Sequence, residues 1–280
     1  MIMSAADFIK DNPAAELAML GAGEIAKVYE IWNRLAEFEA PRAEEAILYL
    51  LGKLKEVTVS DDAVWLGVLR LRHGREAERD HQKGWRTRVV MHLEWTDLKR
   101  EVVAEAMKAQ EQDGGIPSSI EMAKLAGQFR TLFLRELHDL KIFSASRHYQ
   151  ACFIPFDITD RLWCVFPVNG DCEVAVILDR CGAHPRYGEK DRALVSVIMR
   201  GLKWFHQQML IAHGVTLANH RLTPREKSLL SQLLSDKTEK EIAGHLDLTL
   251  ATVRSYTKSL YGKFGVRGRA GLMALWLGRV

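Results

Sequence analysis

Four cysteines, Cys152, Cys164, Cys172 and Cys181, fall within thirty residues, beside His148 and His184. A metal centre or redox sensor needs such a cluster, because thiolate is the reactive and ligating form. The gaps between them follow no metal-ligand spacing and contain no CxxC pair, so burial of small side chains in strands is the preferred reading. A second set is aromatic. Trp65, Trp85, Trp95, Phe153 and Trp163 lie on or near apolar runs and either line a small-molecule pocket or fill a core. A third set stands in and just beyond "TEKEIAGHLDLTLATVRSY" (238–256), where a helix with Val253, Tyr256, Leu260 and Phe264 inward leaves Ala251, Arg254, Ser255 and Lys258 outward. Arg can take guanine O6 and N7 together in a major groove, whereas Ser discriminates little. No GxSxG, HExxH, P-loop or GxGxxG motif occurs, so neither catalysis nor a cofactor is expected.

The elements that would position the third set are strongly punctuated. Thr223 and Glu226 in "LTPRE" form a capping box with Pro224 at the first helical position, and Thr238 and Glu241 repeat it. The first helix buries Leu229, Leu230, Leu233 and Leu234, and the second carries Ile242, Ala243 and Leu246. Thr249 caps the next. Two short helices joined by "DLT" make a helix-turn-helix whose later helix is placed to enter a groove.

Upstream, residues 14–39 read as a helix with Ile25, Val28, Trp32 and Leu35 in one stripe, and residues 42–56 as a second helix. Residues 63–72 and 85–95 read as strands around a charged loop (73–84). Residues 97–112 and 118–137 read as helices. Between 149 and 180, "YQACFIPFD", "DRLWCVFPV" and "CEVAVILD" suggest an antiparallel meander. A long helix over 191–213 follows, with Leu194, Ile198, Leu202, Phe205 and Met209 on one face. The expected domains are residues 1–213, a linker over 214–221, and residues 222–280.

Charge supports that division. Residues 221–280 hold eleven Lys and Arg against five Asp and Glu, while the other 220 residues are slightly acidic within a total of +3. A basic module on an acidic body points to a polyanionic partner. No run of eighteen apolar residues and no signal-peptide pattern occurs in the sequence, so a cytoplasmic protein without a membrane partner is expected.

Residues 222–279 resemble the LuxR-type DNA-binding domain, a four-helix module, through "LTPRE", "TEKEIAGHL", "TVRSYTKSLYGKFGV" and "RGRAGLMALWL". The resemblance implies base and backbone contacts at Arg254, Ser255 and Lys258, and phosphate contacts at Thr252 and Lys240. The departure is Asp247–Leu248, where Gly followed by Ile or Val is commoner. The order of elements upstream resembles a GAF- or PAS-like sensory domain, an α+β fold with an antiparallel sheet flanked by helices. Asp61 and Asp62 lack the context of a receiver domain and read as a turn. Trp65 is not followed by the Tyr of the acyl-homoserine-lactone branch, and no Asp–Pro pair exists, so that ligand class is not implied. The sequence therefore describes a homodimeric, DNA-binding transcriptional regulator sensing a small molecule. The alternatives are a domain that docks a partner protein and a metal or redox sensor using the cysteines. Candidate dimer surfaces are the Ile25–Leu35 stripe, the Leu194–Met209 face, and the last helix around Leu272, Leu275 and Trp276.

Overall fold

Alternation along Asp62–Arg70 sends Val64, Leu66 and Val68 to one face of a sheet and Ala63, Trp65 and Leu69 to the other, as a period of two requires. This is β1 of a five-stranded antiparallel sheet. Its companions are β2 (Trp85–His92), β3 (Arg130–Phe133), β4 (Ile158–Asn169) and β5 (Cys172–Cys181), in the order β2-β1-β5-β4-β3. Central strand β5 buries Val174, Val176 and Leu178 on one face, where all three are inaccessible, and carries Glu173, Ala175, Ile177 and Asp179 on the other.

The computed structural model describes residues 12–112, 116–214 and 222–277. Contacts divide the chain into two compact units, Met1–Asn33 with Leu48–Leu202, and Arg34–Ile47 with Lys203–Val280. Apart from Gly214, the expected linker lies outside the described residues.

In chain order the helices are α1 (Pro13–Ala18), α2 (Ala22–Ala36), α3 (Ala43–Thr58), α4 (Gly74–Arg79), α5 (Asp97–Glu111), α6 (Pro117–Lys124), α7 (Leu134–Leu137), α8 (Leu140–Ser144) and α9 (Arg147–Cys152). After the sheet come α10 (Glu189–Arg200), α11 (Lys203–Ala212), α12 (Pro224–Leu233), α13 (Glu239–His245), α14 (Leu250–Lys263) and α15 (Arg269–Trp276). In the first unit α10 packs on β3 and β4, where Ser196 Oγ and Thr131 Oγ1 are hydrogen-bonded at 2.8 Å. The opposite sheet face looks towards α5, α6 and α9. In the second unit α12, α13 and α14 pack together, and α11 packs on α12 and α15.

Several elements differ from their sequence-based expectation. The first run of the meander is helical, as α9 and a 3-10 turn (Ile154–Phe156), because Ser146 caps Tyr149 N–H and Asp157 turns the chain at φ +52°. The missing strand is β3, inside the stretch expected to be one helix; Gly127, at φ +86°, ends that helix after α6. The helix expected over 191–213 breaks at Gly201, where a Cβ would come within 2.3 Å of the Trp32 ring. Of the stripes offered for dimerisation, Ile25, Trp32 and Leu275 are half-buried, and most of the others are covered within the chain. Val28, Leu35, Leu194, Ile198, Leu202, Phe205 and Met209 are all buried, as are Leu272 and Trp276.

Candidate nucleic-acid interface and ligand cavity

Both capping boxes form. Thr223 Oγ1 accepts from Glu226 N–H at 3.2 Å while the Glu226 carboxylate accepts from Thr223 N–H at 2.9 Å. Thr238 and Glu241 do the same at 3.3 and 2.7 Å. Thr249 Oγ1 receives Thr252 N–H at 3.1 Å and starts α14. Glu226 is also tied to Lys263 at 2.5 Å. Burial alone would raise its pKa, but the hydrogen bonds from Lys263 and Thr223 outweigh that and hold it low. Arg269 stitches the module shut, donating to the carbonyls of Leu233 at 2.8 Å and Lys237 at 2.6 Å and also to that of Ser235.

The turn between α13 and α14 is a Schellman arrangement, with Leu248 N–H donating to Ala243 O at 2.9 Å. Asp247 occupies its left-handed position at φ +52°, a place where glycine costs nothing and Asp is tolerated. Along α14, Val253 and Leu260 are inaccessible, Phe264 is nearly so and Tyr256 is half-buried. Arg254, Ser255 and Lys258 are exposed together on the other side, as is Lys240 on α13. Thr252 is half-buried, its hydroxyl shared with Thr249 at 2.8 Å. Arg254 Nε donates to Glu239 Oε2 at 2.9 Å, a pairing the sequence reading did not anticipate.

In the first unit the sheet face opposite α10 floors a cavity of about 380 Å³. The register sets its rungs. Asp62 lies beside Asp179, with Arg161 beyond; Val64 sits between His92 and Ile177, with Trp163 beyond. Leu66 sits between Val90 and Ala175, followed by Val165 and Arg130, and Val68 between Thr87 and Glu173. Helix α5 contributes Val102, Val103, Ala106, Met107 and Gln110, and α6 contributes Met122 and Ala123. The middle is therefore apolar and both ends are polar.

At the first end, Asp62 Oδ2 meets Lys99 Nζ at 2.8 Å and His92 Nδ1 at 3.4 Å. Burial would raise the Asp62 pKa, but hydrogen bonds from His92 and Lys99 keep it lowered. Arg161 grips Asp179 through two hydrogen bonds of 2.5 and 2.7 Å and lies 4.3 Å over the Phe153 ring. At the other end, Arg130 and Glu173 form a buried ion pair at 2.8 Å.

Of the five aromatic candidates, Trp85 and Trp163 line the cavity. Trp65 is inaccessible on the other face, one residue out of phase with Val64 and Leu66. Phe153 belongs to a cluster with Phe143 and Tyr149, and Trp95 stacks beside His92 and under Arg100. Sequence reasoning missed Gln82, Lys99, Gln110, Arg130 and Arg161. The available signal was "DHQKG" ahead of β2, an Asp-led turn closed by glycine. Asp61 accepts Cys181 N–H at 2.7 Å and pins the end of β5, in keeping with a structural turn.

Burial pushes the Cys164 and Cys172 thiols up to about 12 and Cys181 up to about 11, so they stay protonated. Among the described residues, no three His, Cys, Asp or Glu side chains are grouped to hold a metal ion. Nor is any helix there long and apolar enough to cross a membrane.

Four histidines are held as neutral rings, His206 and His213 buried and His138 and His148 half-buried. Burial lowers His138, His148 and His213 to about 4 and His206 to about 3; Arg161 adds to the effect at His148. Unfolded, each titrates near its ordinary value of about 6.5. Between that value and about 4 the unfolded chain binds protons the folded chain refuses. Stability is therefore full above about pH 6.5 and falls as pH drops towards 4. The lowered carboxylates Asp62 and Glu226 lose their contribution only in the more acidic range. Urea midpoints at pH 7.5, 6.0 and 5.0 should decline in that order, and identical midpoints would contradict the burial of these rings.

Residues 220–275 match the sequence profile of the bacterial regulatory proteins of the luxR family. The probable HTH-type transcriptional regulator GfsR of Streptomyces halstedii is 40% identical over 57 residues, 20% of this chain and 24% of that protein. The spore germination protein GerE of Bacillus subtilis (strain 168) is 43% identical over 49 residues, 18% of this chain and 66% of GerE. The chain thus spans about a quarter of the first relative and just under two thirds of the second. Among solved structures, SdiA in complex with octanoyl-rac-glycerol aligns over 91% of this chain and 95% of its own, at 13% identity and a TM-score of 0.46. The C-terminal module is a LuxR-type helix-turn-helix domain for binding DNA, and its relatives are regulators of transcription rather than enzymes.

Proposed function

We propose that this chain, with a LuxR-type helix-turn-helix domain near its C-terminal end, is a sequence-specific transcriptional regulator controlled by a small molecule. The observation that carries the reading is the cavity of about 380 Å³ between the sheet and α5, α6 and α9, apolar in its middle and polar at its ends. Ligand sites have that composition, with a few placed polar groups inside a hydrophobic wall. A cavity of this size in a core that only needed to fold would forgo packing energy throughout its lining. The domain around it is, in this reading, a sensory domain of the GAF- or PAS-like kind, and the regulator binds DNA as a homodimer. Two heads are needed because one head makes few base contacts.

The test is a fluorescence titration of the full chain with N-phenyl-1-naphthylamine, an uncharged apolar dye. Saturable binding is expected, with quenching of Trp85 and Trp163. Ala106→Trp fills the cavity from α5 and should abolish dye binding while leaving retardation of duplex DNA intact. Dye binding that survives Ala106→Trp unchanged would place the ligand elsewhere.

A further inference from the structure

Within the second unit, an open cavity of about 740 Å³ lies where four segments meet. These are the end of α2 with the 3-10 turn Ala40–Arg42, α11, the end of α12, and α15. The cavity shares no residue with the one in the first unit or with the exposed face of α14.

Its walls combine two chemistries. Phe38, Trp204, Met273 and Trp276 supply apolar and aromatic surface, and Glu39 and Asp236 supply carboxylates. Both carboxylates are exposed, and neither forms an ion pair among the described residues. No lysine, arginine or histidine lines the space among those residues. The cations nearby are already engaged. Arg34 is bonded to Glu37 and Arg42 to Glu45, each at 2.6 Å. Lys237 Nζ donates to Gln232 Oε1 at 2.6 Å, and Arg269 to the Leu233 carbonyl at 2.8 Å.

The backbone contributes the same sign. Ala36, Leu234 and Trp276 line the cavity, and α2, α12 and α15 end at Ala36, Leu233 and Trp276. A helix C-terminus carries roughly half an elementary negative charge, and neither α12 nor α15 has a basic residue in its last turn. A negative space has thus formed in a module that is otherwise basic.

The aromatic walls narrow the class. Trp204 is 36% exposed yet packs edge-on against buried Phe205, their centroids 5.9 Å apart. Trp276 is 7% exposed. Indole faces attract cations, most strongly ones that shed their water. Two carboxylates are too few for a hard metal ion, which takes about six to eight oxygens. Carboxylates beside indole rings suit a cation that is apolar around its charge.

We propose that this cavity is a second binding site, for a small organic cation whose ammonium group is carried on an apolar body. Trp204 and Trp276 cover the apolar surface of the guest, and Glu39 and Asp236 match its charge. The probes that test this are choline and 3,3-dimethylbutan-1-ol, which has the same shape with carbon in place of the charged nitrogen. The full chain carries 5-fluorotryptophan, and the Trp204 fluorine resonance is identified by its loss in Trp204→Phe. Choline should shift that resonance at millimolar concentration and bind at least about ten times more tightly than the neutral alcohol. Titrations are matched in ionic strength with sodium chloride, so a bulk salt effect moves both probes alike. The variant Glu39→Gln, Asp236→Asn alters two exposed side chains that make no hydrogen bond among the described residues, so the fold should be kept. In it choline's advantage should fall to about one- to threefold, the part left to the rings, with binding of the alcohol unchanged. No shift of Trp204 with choline, equal binding of the two probes, or an undiminished preference in the double variant each overturns the assignment. A choline response confined to the other tryptophans overturns it too, by placing the cation outside this cavity.

Discussion

Glu173→Ala should lower the free energy of unfolding by about 3–5 kcal/mol, the cost of leaving a buried partner charge uncompensated. Arg130 and Glu173 have side chains only 2% and 4% accessible, and two hydrogen bonds of 3.0 and 2.8 Å join them. The carboxylate also receives Gly127 N–H at 2.7 Å. Without it the guanidinium keeps only the carbonyls of Gln128 and Met122, at 2.7 and 3.2 Å, and its charge has no counter-ion in a dry place. Since whole domains are stable by about 5–15 kcal/mol, this single change removes a large share. The double variant Arg130→Met, Glu173→Leu should recover most of the loss, because an apolar pair of similar volume removes both desolvation penalties. Urea unfolding followed by circular dichroism separates the cases. A double variant as unstable as Glu173→Ala alone would mean that Gly127, and not the pair, carries the effect.

The sequence made the DNA-binding module legible because its signals are local. A capping box lies within four residues, and the outward Arg254 follows from the period of one helix. The cavity was only half legible, and the reason is geometric. Trp85 and Trp163 were found because large aromatics on strands are conspicuous, but Trp65 has the same chemistry and points the other way. Only the register of β1 against β5 tells the two faces apart. Gln82 and Gln110 are 28 residues apart, and neither is notable until the Asp80 turn brings the Gln82 side-chain amide to the Gln110 backbone carbonyl. Strand β3 was lost inside a helical pattern because a four-residue strand shows too few periods to be distinguished from a turn of helix. The helix break at Gly201 is set by the ring of Trp32, far away in sequence.

The exposed face of α14 should lose sequence-dependent binding altogether in Arg254→Ala, Lys258→Ala. In the free protein Arg254 is 65% accessible and paired with Glu239. DNA must displace that pairing, and the magnitudes say it can. An exposed ion pair contributes roughly 0–1 kcal/mol, whereas an arginine bound through two hydrogen bonds to a guanine discriminates by about 1–3 kcal/mol. Arg254→Ala alone should therefore cost about 1–3 kcal/mol on the cognate site and relax specificity at one base. Lys240→Ala should instead weaken all duplexes alike and reduce the steepness of the salt dependence by about one phosphate contact. Glu239→Gln separates the two effects. It removes an anion from the face that meets phosphates and frees Arg254, so affinity should rise on cognate and random duplexes together, with the ratio between them little changed. Fluorescence anisotropy on a selected and a scrambled duplex at several salt concentrations reads all four variants. If the Arg254→Ala, Lys258→Ala variant bound the selected duplex as tightly as wild type, α14 would not be the reading helix. If Glu239→Gln lowered cognate affinity, the pair with Arg254 would be orienting the arginine for the groove rather than competing with it.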